Sequence, residues 1–398
     1  MKAQRGKFSE RSTRSLEIIV IIITTLVLLE GALRLQQKLG PIWDLSFDNA
    51  TLEGVSDVIN HQPLRKSTHI LSSPEMYGEY AGYTYTAHYD RNGIRKNTLR
   101  PEQEHRHSGI SVLFMGDSFM QGYDDGNTIP QHVWNYFQTK NSQFSIILYN
   151  AGCLSYSPAI FIPQAKILIP QLHPTFVVVD IDETDLGDDY IRYKNLIIRD
   201  QNGRIVAVEK TPIYFESNYG LIKLKEQPSY VARLFLSLYH KKIYMPHYIE
   251  RYRHDDRSVF SFSRDKDENA EEKYKEEIGF FRSNVVELAE TLIDLMGNKD
   301  RILLLYHPHL QHLVPDQDNR YWNHFVSNTV KDVAARYDIA FYDATEDLRT
   351  RFNGNPEQYY WNKNIHFNFD GLKVYGDLVA QSLIGLIEEG NVKTGNQG

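Results

Sequence analysis

Between residues 109 and 390, short apolar runs alternate with segments whose apolar residues recur at three- and four-residue spacing. A strand period alternating with a helix period marks a parallel sheet covered by helices. The runs predict strands at 111–115, 145–149, 175–181, 301–306 and 338–342, and helices near 128–139, 158–169, 277–296, 320–335 and 371–388. The last helix follows Asp370-Gly371 and carries Leu372, Val374, Tyr375, Leu378, Val379 and Leu383 on one face. Five strands joined by right-handed crossovers give an α/β domain of three layers, αβα.

The rhythm breaks between the third and fourth strands. Residues 190–275 are too long for a connection and predict an inserted subdomain. Within it, residues 198–206 read as a hairpin around Asn202-Gly203, Tyr230 to Tyr252 as helical until Pro246, and Ser261 to Glu272 as a solvated, charged stretch. An insertion at the ligand edge of a sheet serves as a lid or a specificity platform. Ahead of the sheet, 36–108 reads as a polar, loop-rich extension with one turn at Asp90-Arg91-Asn92-Gly93, and 391–398 as a disordered tail.

The N-terminus has its own pattern. Lys2, Arg5, Lys7, Arg11 and Arg14 lie in a basic segment, 1–15, ahead of an apolar run within 16–35. As a helix, Leu16 to Leu33 would be roughly 27 Å long, close to the hydrocarbon thickness of a bilayer. The basic residues orient the N-terminus to the cytoplasm and the remainder outside. No A-x-A cleavage site follows, so an uncleaved single-pass anchor is expected, with a cleaved signal as the alternative.

With 398 residues, 41% of them hydrophobic, the chain can bury a full core. Its net charge of −7 and dispersed Lys and Arg exclude a nucleic-acid binder. Cys153 is the only cysteine, which rules out an intrachain disulfide and any CxxC-type metal site. The run Tyr306-His307-Pro308-His309-Leu310-Gln311-His312 holds three histidines, but Pro308 interrupts it and no partner motif lies near. Those histidines read as pocket wall, and neither metal nor cofactor is expected.

The chemistry concentrates where predicted strands end. Val112-Leu113-Phe114-Met115 runs into Gly116-Asp117-Ser118, and Gly122 follows four residues later. This puts the Ser118 hydroxyl at the carboxyl edge of the sheet, where open α/β folds bind ligands. An activated serine needs a base and donors for the developing oxyanion. His366, on the loop before the last helix, returns to that edge and is the candidate base. Candidate donors are the N–H of Ser118, the N–H of Gly152 after the second strand, and a third group from Asp180 to Leu186 after the third.

These blocks resemble the SGNH, or GDSL-type, hydrolase superfamily. Gly116-Asp117-Ser118 matches its first block, Asn150-Ala151-Gly152 its second, and His366 with Phe367-Asn368 and Gly371 its last. The third block, normally Gly-x-Asn-Asp, aligns as Asp182-Glu183-Thr184-Asp185. Upstream, Asn92-Gly93-Ile94-Arg95 resembles the lead-in of membrane-anchored bacterial members, and the likeness spans roughly 85–390 with the insertion unmatched. It implies a flavodoxin-like five-stranded parallel sheet, Ser118 as nucleophile and His366 as base. Ser118, Gly152 and Thr184 would then line the oxyanion hole, with Asp117 and Asp185 in support. Two departures stand out: Thr184 replaces the block III Asn, and Asn364 and Lys363 occupy the positions where a carboxylate would orient the histidine. Asn364 is the expected orienting group, through its carbonyl oxygen, with Asp343 and Asp370 as alternatives.

The resemblance implies a membrane-anchored, extracytoplasmic serine esterase or acyltransferase, periplasmic or at the cell surface. Its substrates would be acylated glycans or small esters, as for carbohydrate O-acetyl esterases and relatives of alginate O-acetyltransferases. Thr184 and Asn364 favour the alternative, a catalytically impaired member of the fold that binds glycan or scaffolds an envelope assembly.

Overall fold

The structure, a computed structural model, describes residues 2–39, 75–80, 83–90, 94–95, 109–140, 145–208, 229–239, 257, 259–262, 264–315, 321–361 and 364–395. Five parallel strands form the central sheet: β1 (Ile110–Met115), β2 (Ile146–Asn150), β3 (Phe176–Ile181), β4 (Ile302–Tyr306) and β5 (Ala340–Asp343). Their order is β2-β1-β3-β4-β5. That is the flavodoxin-like order, with its switch point between β1 and β3. Every residue of β3 and β4 is buried, as befits strands covered on both faces.

The helices include α1 (Lys2–Leu39), α2 (Ser118–Gln121), α3 (Ile129–Lys140), α4 (Pro158–Leu172), α5 (Lys275–Met296), α6 (Phe325–Tyr337) and α7 (Phe369–Gly395). α5 packs between α4 and α6, and α3 packs on α7, giving the two helical layers. The αβα expectation holds, with strand ends shifted by a residue or two. α6 starts later than expected because residues 321–324 run as loop ahead of its cap at His324. α7 runs on through Gly395, so the first five residues of the expected disordered tail are helical; once nucleated, a helix extends at little cost.

The extension before the sheet, expected as loop, holds an antiparallel hairpin pairing Glu75–Tyr80 with Tyr83–His88. The alternation of Tyr85, Ala87 and Tyr89, all buried, is its strand-like signal. Arg91, Asn92 and Gly93 of the expected turn lie outside the described residues. Ile94 and Arg95 are buried, and the Arg95 N–H donates to Asn150 O at 2.8 Å. The Arg95 guanidinium donates to Gln121 O at 3.3 Å, to Tyr123 O, and to Asp125 Oδ1 at 2.5 Å. It thereby clamps the chain that leaves α2. Arg95→Met should leave two carbonyls unpaired and the half-buried Asp125 with His88 as its remaining partner, lowering stability by ~1–3 kcal/mol in urea unfolding.

Of the insertion, the described parts are a π-turn at Asp188–Tyr193, a hairpin pairing Ile197–Arg199 with Ile205–Val208, and a helix at Tyr230–Tyr239. Gly203 turns the hairpin with φ +78°, a left-handed backbone that suits glycine. Residues 240–252, the rest of the expected helix, lie outside the described residues. The stretch from Ser261 to Glu272 is less solvated than expected: Phe262 packs edge-on to Tyr274 and Tyr190, and Ala270 is buried. Leu16–Leu35 of α1 is long and apolar enough to cross a membrane. Near its end, Glu30 accepts hydrogen bonds from Ser229 Oγ and from the N–H groups of Tyr230 and Val231, at 2.9–3.1 Å. It thus caps the helix Tyr230–Tyr239.

Candidate active site

β1 ends at Met115, and the turn that follows admits only glycine at 116, where a Cβ would lie 2.7 Å from Met120 Cβ. Asp117 then caps α2, its Oδ1 accepting from Phe119 N at 2.9 Å. Ser118 is the first residue of this short helix and is half-buried. Its Oγ lies 2.7 Å from His366 Nε2, although 248 residues separate the two. His366 sits on the loop before α7, where the buried Phe367 anchors the backbone. The Phe119 ring stacks on the imidazole, centroids 4.6 Å apart.

Asn364 Oδ1 lies 2.6 Å from His366 Nδ1 and also accepts from the His366 N–H at 3.1 Å. The backbone donor fixes the amide, since a flipped Asn would oppose two N–H groups. An acceptor at Nδ1 assigns the imidazole proton to Nδ1 and leaves Nε2 as a lone pair facing Ser118. Of the alternatives, Asp343 accepts from Ser327 Oγ and Thr345 N, and Asp370 is exposed. Lys363 lies outside the described residues. Burial, with a smaller contribution from the nearby His309, lowers the His366 pKa to about 3, so the ring is neutral at ordinary pH.

Asp117 Oδ2 also lies 3.1 Å from Ser118 Oγ. Burial and the charge of Asp182 push the Asp117 carboxyl well above the usual carboxylate range. A carboxyl that resists ionisation competes weakly for the serine hydrogen, and the shorter contact is the one to His366.

The other expected oxyanion donors are engaged internally. Gly152 N–H donates to Asn150 Oδ1 at 2.9 Å, and Asn150 in turn donates to Met120 O. Thr184 is buried, and both its hydroxyl and its N–H donate to Asp182 Oδ1, at 2.6 and 2.8 Å. A short side chain beside a buried carboxylate satisfies that carboxylate first. Asp185 is buried too, its Oδ2 accepting from Asp182 N at 3.2 Å, and burial raises its pKa well above normal. Of the proposed hole, only Ser118 N–H, in the first turn of α2, has no acceptor within its own helix. Thr184→Ala should therefore reduce ester turnover less than about tenfold, where loss of a true oxyanion donor costs ~10²–10³. Steady-state kinetics on p-nitrophenyl acetate would separate the two.

The histidines after β4, expected as pocket wall, meet the acids after β3. His309 Nε2 lies 2.7 Å from Asp182 Oδ2, and His307 Nδ1 lies 3.0 Å from Asp180 Oδ1, to which Tyr375 also donates at 2.8 Å. Burial alone would lower the His307 pKa, but Asp180 overrides it and holds the ring at about 9. Burial would likewise raise Asp182, yet His309 keeps it well below the usual range. Glu183, accepting from Tyr306 OH at 2.7 Å, is pushed up to about 8 by burial. The signal was the position of these histidines at the end of β4, on the edge that also carries Ser118.

No protein-family profile and no curated protein matches the chain. Among solved structures it is similar to a lipase/acylhydrolase from Enterococcus faecalis, at 12% identity and a TM-score of 0.39 over 69% of this chain and 96% of that one. An acetylxylan esterase from Geobacillus stearothermophilus aligns at 13% identity and a TM-score of 0.40, over 70% of this chain and 94% of that one. A GDSL-like lipase from Parabacteroides merdae aligns at 10% and 0.38, over 70% and 96%.

Proposed function

We propose that this protein is an SGNH-type serine esterase or O-acyltransferase, anchored in a membrane by α1 and acting outside the cytoplasm on acylated glycans or other envelope esters. One observation carries the reading: the 2.7 Å contact between Ser118 Oγ and a His366 ring whose other nitrogen is held by Asn364. Ser118 attacks the acyl carbonyl as His366 Nε2 takes its proton, and the Ser118 N–H is the donor we assign to the oxyanion. His366 then returns the proton to the departing alkoxide, leaving an acyl-serine that water or a sugar hydroxyl resolves. Nothing in this sequence of steps needs a cofactor.

The internal bonds of Gly152 and Thr184 favour a second reading, a protein that has kept the fold but binds glycan without turning it over. Labelling of the full chain by a fluorophosphonate, beside Ser118→Ala, distinguishes them. Labelling confined to the wild type supports the enzyme; equal, negligible labelling of both folded proteins supports the binder.

A further inference from the structure

At the same edge of the sheet lies a buried constellation that the ester chemistry leaves unused. Asp182 and the rings of His307 and His309 bring one donor atom each to within 4.8 Å of one another, and none of the three residues is more than 1% exposed. Asp182 Oδ2 lies 2.7 Å from His309 Nε2 and 4.0 Å from His307 Nε2. Asp180, 3.0 Å from His307 Nδ1, holds a proton on that nitrogen, so Nε2 is the ring atom left to meet a ligand. Among the described residues His307 Nε2 is fully enclosed and has no hydrogen-bond partner. Leaving such a group unsatisfied costs ~1–3 kcal/mol, which a ligand at that point would recover.

We propose that Asp182, His307 and His309 bind a divalent transition-metal ion of the zinc class, with Asp180 as the carboxylate that orients His307. Two imidazoles and one carboxylate form a borderline N₂O donor set, suited to zinc and its first-row neighbours. Donor atoms about 2.0–2.2 Å from a tetrahedral ion stand roughly 3.2–3.6 Å apart. The contact to His309 therefore opens and that to His307 closes, each by less than about 1 Å. The ion replaces the Nε2 proton of His307, which passes to solvent, and moves the proton shared by His309 and Asp182 onto His309 Nδ1. It exchanges no electron.

A file of histidines leads from the site toward an open cavity. Ring centroids step from His307 to His309 (6.4 Å), to His312 (5.9 Å) and to His324 (4.9 Å). His324 lines an open cavity of about 530 Å³ with Trp322, Asp343 and Arg349. Glu183, His312 and His324 form another group of donors along this file. They are the weaker resting site, because His312 Nδ1 accepts from the His309 N–H at 3.2 Å, which puts the His312 proton on Nε2, the atom nearest Glu183. Bound at Asp182, the ion would lock the loop after β3 to the loop after β4. The inference does not depend on the ester reading, and its test does not read activity.

The full chain, purified in detergent and stripped by chelator, would be loaded with Zn²⁺ or Co²⁺, desalted, and assayed for metal content and melting temperature. About one ion per chain and a raised melting temperature are expected, both lost in His307→Gln and His309→Gln and both kept in His312→Gln. Should those two variants fold poorly, Asp180→Asn provides the check, with an expected ten- to hundredfold weaker affinity. Metal content well short of one ion with an unmoved melting temperature would overturn the proposal. So would unchanged affinity in Asp180→Asn, or loss of the ion in His312→Gln.

Discussion

Ser118→Ala and His366→Ala should each lower ester turnover by ~10⁴–10⁶-fold, with a circular dichroism spectrum and unfolding midpoint close to those of the unaltered protein. Ser118 is half-buried, and among the described residues its hydroxyl meets Asp117 and His366, so removing one oxygen opens little space. Catalytically the pair acts as one unit: without the base the hydroxyl is a weak nucleophile, and without the hydroxyl the base has nothing to deprotonate. The double variant should consequently be no slower than either single one. A residual rate within tenfold of wild type in Ser118→Ala would move the chemistry elsewhere.

Asn364→Asp should raise ester turnover and make it more sensitive to acid. In the unaltered site His366 titrates at about 3, because burial and neighbouring histidines disfavour the imidazolium. The base is active when neutral. Its lowered pKa therefore keeps activity on a plateau down to acid pH, with loss only as pH falls toward that value. A carboxylate at 364 would keep the Nδ1 contact and add a negative charge beside the ring, favouring the imidazolium formed in the transition state. The His366 pKa rises, the acid limb of kcat/KM moves up toward the ordinary histidine range, and turnover at pH 8 increases by ~10-fold or more. A pH–rate profile of both proteins is the check. A slower variant, or an acid limb that stays put, would show that Asn364 does not orient the base.

The layered sheet was legible because its strands are buried on both faces. Runs such as Val177-Val178-Val179 and Leu303-Leu304-Leu305 carry no polar residue to blur the period. The hairpin Glu75–His88 was harder to see, since its apolar residues are tyrosines and an alanine interleaved with threonine. Glycine and aspartate at 116 and 117, and Asn364 two residues before the histidine, are local signals. Sequence reasoning could therefore place Ser118, His366 and Asn364. Thr184 and Gly152 depend on partners, Asp182 and Asn150, whose side chains the chain order does not aim. The histidines after β4 were dismissed for want of a neighbouring motif, and their acid partners come from β3, more than a hundred residues away.

The 248 residues between serine and histidine also set a clock. At about 5–20 residues per second, a ribosome that has finished Ser118 needs roughly 10–50 s to reach His366. Through that interval the nascent chain carries the proposed nucleophile without the proposed base. The hydroxyl stays inert until β5 has joined the sheet and α7 has closed over α3. Truncation anywhere upstream of His366 should leave a protein with an unreactive serine, so incomplete products of translation would be harmless to the esters around them.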